Sequence, residues 1–203
     1  MEITVGAAQE FFIEGSPFRA GELSAMQLEG SLETIMPGLW ARTPFVDGTE
    51  SRARAVSAVV SRLDAFAVSG ATAAWVYGVG GTPRCIEAVV KRFLRSPRNL
   101  PGPPLRIVGY DVRPADVMTI GGAPLTTPLR TAFDAAVRFP DDEESIRVVR
   151  RLLESSRAGV DVEVLRARIM EVKRRPGKLR ALARVAEAAR GARQLTLVRD
   201  CAV

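Results

Sequence analysis

From Glu50 to Asp64 the apolar residues Ala55, Val56, Val59, Val60 and Leu63 recur at helical spacing, while Arg52, Arg54, Ser57 and Arg62 take the other side. This predicts an amphipathic helix. A second helix is expected at Gly70 to Tyr77, with Ser69 placed to cap it and Gly78 to end it. Between Ile86 and Ile120 the pattern changes to short β-branched runs, IEAVVKRFL, LRIVGYDV and DVMTI, separated by the Pro- and Gly-rich stretch SPRNLPGPP. These predict a small, mainly antiparallel sheet. In TTPLRTAFDAA, Thr127 is placed to cap a helix whose first position is Pro128, and Arg130 and Asp134 fall four apart on one face.

Three further helices are expected over Asp142 to Ser156, Asp161 to Lys173 and Pro176 to Arg190, the last stopped at Gly191. In that last helix Leu179, Leu182, Val185, Ala186 and Ala189 form the apolar stripe, with Lys178, Arg180, Arg184 and Arg190 outside it. Near the start, punctuation by Gly15, Ser16, Pro17 and Gly30 frames a short helix from Arg19 to Leu28. Leu32, Thr34 and Met36 then alternate before a Pro37-Gly38 turn, as in a small hairpin or wing. The expected fold class is α+β: a reduced winged-helix-like module over residues 1–48, then a domain over 49–203 in which a small sheet and packed helices lead into a C-terminal helical bundle from about residue 142. No internal repeat and no disordered tail is expected.

Composition narrows the chemistry. The 203 residues, 47% hydrophobic and 26% charged, are enough for a sizeable core. The 29 basic against 23 acidic residues give a net charge of +6, which favours an anionic partner. Residues Arg147 to Asp200 hold fifteen of the basic and six of the acidic side chains, so the excess sits in the helical third. The chain has no histidine, which removes the usual general base near neutral pH and every Ser-His-Asp, Cys-His or His-metal arrangement. Cys85 and Cys201 are too far apart in sequence to read as a zinc-ligand pair or a CxxC motif, and are expected as reduced thiols. No metal and no cofactor is expected. MEITVGAAQEFF lacks the basic start and apolar run of a secretion signal, so a cytoplasmic protein is expected. The uncharged stretch from Ala65 to Pro83 is broken by Ser69, Gly70, Thr72, Gly78, Gly80 and Gly81, and reads as buried core instead of a membrane span.

The order of motifs, MPGLWAR, then SGATAAWVYG, then TPR, then LTTPLRTAFDAA, then basic helices, resembles the AbiEi-like (type IV) antitoxins of actinobacterial type. The likeness runs from about Pro17 to Arg190 and is most specific at SGATAAWVYG and TTPLRTAFDAA. It implies a cytoplasmic antitoxin that neutralises a nucleotidyltransferase toxin, with promoter DNA as a second partner through an N-terminal winged helix-turn-helix. A full module of that kind needs about three helices and a wing. Residues 1 to 40 supply one helix and a wing, so the DNA-reading half is reduced here.

Candidate contacts to a partner or to DNA are Arg84, Lys91, Arg92, Arg95 and Arg98 around the sheet, Arg130, and Lys173, Arg174, Arg175, Lys178 and Arg180 across a helix break. Ser69, Trp75, Tyr77, Thr127, Pro128 and Asp134, which carry the family motifs, read as structural: caps, core aromatics and an ion pair. Two alternatives stay open. One is an enzyme that silences the toxin by phosphoryl transfer, using the glycine-rich GVGGTPR and a carboxylate among Asp111, Asp116 and Asp134. The other is a DNA-binding regulator with no direct toxin contact.

Overall fold

In a computed structural model of the chain, residues 10–61, 63, 65–90, 102–109, 111–172 and 176–200 are described, 193–200 for their backbone alone. The class is α+β: seven helices among the described residues, a three-stranded antiparallel sheet and a five-stranded mixed sheet. No helix among them is long and apolar enough to cross a membrane.

The first described elements are β1 (Phe11–Ile13), α1 (Ala20–Leu28) and the hairpin β2 (Leu32–Met36) and β3 (Leu39–Arg42), in sheet order β1-β3-β2. Side chains alternate across a strand, so Phe12 and Trp40 turn to one face and Ile13 and Leu39 to the other. Phe12, Leu32 and Trp40 pack with Leu23 of α1, whereas Ile13, Met36 and Leu39 enter the main core. The alternation expected of Leu32, Thr34 and Met36 breaks at a register shift between Thr34 and Met36. That irregularity sends Met36 to the face opposite Leu32.

The second sheet has the order β6-β5-β4-β8-β7, built from β4 (Ala65–Val68), β5 (Ile86–Val90), β6 (Leu105–Ile107), β7 (Val117–Ile120) and β8 (Ala123–Thr126). Pairings β4–β5 and β7–β8 are antiparallel, and β4–β8 and β5–β6 are parallel. The expected mainly antiparallel sheet is therefore mixed. One reason is β4, an uncharged segment read as undifferentiated core, which takes a central place between β5 and β8 and runs parallel to β8; the other is β6, which runs parallel to β5. Gly121 and Gly122, with φ of 54° and 77°, form the two-residue turn between β7 and β8.

Helix α2 (Thr49–Val60) lays Ala53, Val56, Val59 and Val60 against this sheet and the small one. Helix α3 (Gly70–Val76) lies between two cores: Ala73, Trp75 and Val76 join the α2 side, and Ala74 joins the helical side. A helix buried on all sides has no polar face to show, which accounts for the composition of GATAAWV.

The remaining helices are α4 (Pro128–Arg138), α5 (Asp142–Glu154), α6 (Val162–Glu171) and α7 (Lys178–Asp200). They share a core that includes Phe133, Val148, Leu152, Leu165, Ile169 and Val185. Asp141 and Asp161 cap α5 and α6 by accepting from the N–H groups of Glu144 and of Glu163 and Val164. Two expectations for α7 are corrected. The helix runs through Gly191, where a β-carbon would stand 2.8 Å from Cδ of Arg150, so this glycine admits the side chain of a neighbouring helix instead of ending its own. Its buried face is Ala181, Arg184, Val185, Ala188 and Ala189, and Leu179 is 84% exposed.

Candidate functional site

A concavity of about 500 Å³ opens between α4, α6 and the segment that leads into β7. Its floor is set by local structure. Pro114–Asp116 form a 3-10 turn, and the Asp116 carbonyl accepts from the N–H of Thr127, the N-cap of α4, at 2.8 Å. Thr127 Oγ1 in turn accepts from the Arg130 N–H at 3.3 Å. These bonds bring the Asp116 carboxylate to the first turn of α4, where Arg130 Nη1 donates to Asp116 Oδ2 at 3.0 Å and to the Asp111 carbonyl at 2.6 Å.

Arg130 Nε donates to Asp134 Oδ2 at 3.0 Å, and Asp134 Oδ1 accepts from Arg138 Nε at 2.8 Å. Residues 130, 134 and 138 thus make a ladder of steps of four along one helix face. From α6, Arg168 Nη2 reaches Asp116 Oδ1 at 2.5 Å. The Phe133 ring lies 5.4 Å from the Arg130 guanidinium and 5.7 Å from that of Arg168, within cation–π range of both.

Burial resists ionisation of Asp116, but hydrogen bonds from Arg168, the Arg113 backbone and Arg130 outweigh it and hold its carboxyl below the ordinary range. Burial likewise acts against the charge on Arg130, and Asp134 and Asp116 overcome it. One donor of Arg130 is left over: Nη2 is buried with no hydrogen-bond partner.

A second polar cluster lies at the start of α3. Ser69 occupies the N-cap position, yet its hydroxyl makes no cap bond and is buried without a partner. The carboxylate of Glu87, on β5, accepts from the Ala71 N–H and does the capping from the neighbouring strand. Gly70, at φ +59°, permits this, because a β-carbon there would stand 1.8 Å from Glu87 Oε2. Burial raises the Glu87 carboxyl above the ordinary glutamate value, against the pull of Arg106 at 3.1 Å. Thr72 Oγ1 ties the same helix to β5, donating to the Cys85 carbonyl at 3.2 Å and accepting from the Glu87 N–H at 3.0 Å.

No family model matches the sequence, and no curated protein matches it.

The structure separates the candidate residues. Arg130 and Asp134 come together and are 3% and 0% exposed, so Arg130 floors a concavity and is not a surface contact. Arg84 is exposed in the loop after α3. Lys178 Nζ donates to the carbonyls of Met170 and Val172 at the end of α6, a C-terminal cap, and Arg180 pairs with Asp142 at 2.8 Å. Arg184, expected on the polar side, is 4% exposed and donates to the carbonyls of Ala136 at 2.9 Å and Phe139 at 2.8 Å at the end of α4. Much of the basic run on α7 is therefore engaged in holding α4 and α6. Lys91, Arg92, Arg95, Arg98, Lys173, Arg174 and Arg175 lie outside the described residues.

Trp75 is buried under the Arg52 guanidinium, and Tyr77 donates its hydroxyl to the Thr126 carbonyl at 2.7 Å, where burial pushes the phenol well above its ordinary range. In GVGGTPR the N–H groups of Gly78, Val79 and Gly80 all donate to carbonyls at the end of α3, which removes three donors from any phosphate cradle. Asp116 and Asp134 are neutralised by arginines. Helix α1 carries Glu22 and is flanked by Arg19 and Glu29 at its cap positions, a poor charge for approaching DNA phosphates.

Sequence reasoning missed Arg138, Arg168 and Phe133. Arg138 was legible as the next step of the ladder from Asp134. Arg168 was not, since its partner is 52 residues away.

Proposed function

We propose that this chain is a cytoplasmic binding protein, an AbiEi-like antitoxin that neutralises a nucleotidyltransferase toxin by occupying its surface. The resemblance at SGATAAWVYG and TTPLRTAFDAA motivates the reading. These two motifs form one unit, joined by the Tyr77–Thr126 hydrogen bond and packed in a common core through Ala74, Ala132, Phe133 and Ala136.

The observation that carries a partner-binding role is the apolar exposure within the basic helical third. Met170 at the end of α6 and Leu179 at the start of α7 are 57% and 84% exposed, on either side of the Lys178–Met170 hydrogen bond. Exposed apolar anchors beside cationic side chains suit a partner surface of mixed acidic and apolar character. Promoter binding is secondary in this reading. The order β1-β3-β2 with α1 ahead of the hairpin supports a reduced winged-helix-like module, and the acidic α1 disfavours its entry into a DNA groove.

Co-expression with a candidate nucleotidyltransferase toxin is the test. The intact chain is expected to restore growth and to be retained with the toxin on affinity capture. Replacing Met170 and Leu179 together with Asp is expected to abolish both while leaving the melting temperature unchanged. Absence of a complex and of rescue with the intact chain would sink the proposal.

A further inference from the structure

The concavity beneath α6 has features that a protein-docking face does not require. Its volume of about 500 Å³ lies within the range of small-molecule sites, and its lining combines the apolar Leu129, Val164 and Val172 with arginines. Among the residues lining it, Arg113, Arg130, Arg138 and Arg168 outnumber Asp111 and Glu171. Arg130 has a 4% exposed side chain whose Nε and Nη1 are fully engaged, while Nη2 is buried and unpartnered. A buried charged donor without an acceptor is unfavourable, and natural structures seldom leave one.

We infer that this concavity binds a small organic acid, with its carboxylate at the arginine floor and an apolar body against Leu129 and Val164. The missing acceptor for Arg130 Nη2 is then a ligand carboxylate oxygen, which reaches it once the side chain shifts, since Nη2 itself has no open surface. A carboxylate fits better than a phosphate because Asp116 and Asp134 already neutralise much of the floor. Counting these two with Asp111 and Glu171, four carboxylates stand against Arg113, Arg130, Arg138 and Arg168, so what remains is one unmatched buried donor without excess positive charge, a demand for an acceptor oxygen and not for a dianion. The apolar wall selects against bare inorganic anions. This site is independent of the antitoxin reading, because Met170 and Leu179 do not line it.

Calorimetric titration of the full chain with hexanoate, 1-hexanol and inorganic phosphate tests the assignment. Hexanoate is expected to saturate one site with a Kd of about 1 mM or tighter. Hexanol and phosphate, each carrying half of the recognition chemistry, are expected to bind at least about tenfold more weakly. Val164 is 50% exposed, so Val164→Glu leaves the fold intact and places a negative charge and a polar group on the apolar wall. It is expected to weaken hexanoate at least about tenfold at unchanged melting temperature. Arg168→Lys keeps the charge beside Asp116 but loses the planar guanidinium, and a smaller weakening is expected. No saturable binding of hexanoate, equal binding by Val164→Glu, or phosphate binding as tight as hexanoate would each overturn the inference.

Discussion

Glu87 carries a charge where the fold needs only an acceptor. Its carboxyl caps α3 in a largely buried place, and burial raises its pKa above the ordinary glutamate value. The folded state then holds the proton more tightly than the unfolded one, so stability falls as pH rises from the ordinary value through the raised one. Glu87→Gln keeps an acceptor for the Ala71 N–H and does not titrate. Relative to the parent it is expected to be more stable at pH 7 than at pH 4, by denaturant unfolding at both; a difference independent of pH would contradict the burial argument. Asp116 behaves in the opposite sense. Its lowered pKa gives stability that is present above the ordinary aspartate value and lost as pH falls through the depressed one. Asp116→Asn leaves Arg130 buried with a weakened partner, and a loss of about 3 kcal/mol is expected at pH 7, shrinking in acid. These roles were unevenly legible. The Arg130–Asp134 pair follows from a spacing of four. The capping of α3 by Glu87 does not, because Ser69 offers the right side chain in the right place and only tertiary structure reveals the competitor.

At the scale of elements, the strongly periodic helices were readable because burial of one face fixes the pattern. The elements that escaped are those whose surroundings override it. Strand β4, with Ala67 and Val68 buried, has no polar alternation to announce it. Strand β8 is signalled only by the Gly121-Gly122 turn that precedes it. Helix α7 passes through Gly191 because Arg150 needs the space, a cause that lies on another helix. Helix α3 is held by side-chain bonds more than by its own seven residues, and Thr72 is the clearest of them. Thr72→Val conserves shape and leaves the Cys85 carbonyl and the Glu87 N–H unpaired. A loss of about 2 kcal/mol is expected, with faster amide hydrogen exchange in α3 than in α5; unchanged exchange would mean that packing alone fixes the helix.

Across the whole molecule, the small sheet of β1, β2 and β3 contributes to the main core. Ile13, Met36 and Leu39 pack with Val56, Val59, Trp75 and Leu125. Deleting residues 1–48 is expected to expose that apolar face, so the fragment should self-associate on size-exclusion chromatography and lose near-ultraviolet circular dichroism. A monomeric fragment that melts with the intact chain would show the two parts to be independent. The Asp116–Arg168 contact joins the segment before β7 to α6 across the junction of sheet and helices. Peeling the helices from the sheet would strand opposite charges on two half-solvated surfaces, so partial opening there gains little over complete unfolding. A protease that cuts within α6 must therefore wait for the molecule to come apart, and its lifetime against digestion follows its global stability.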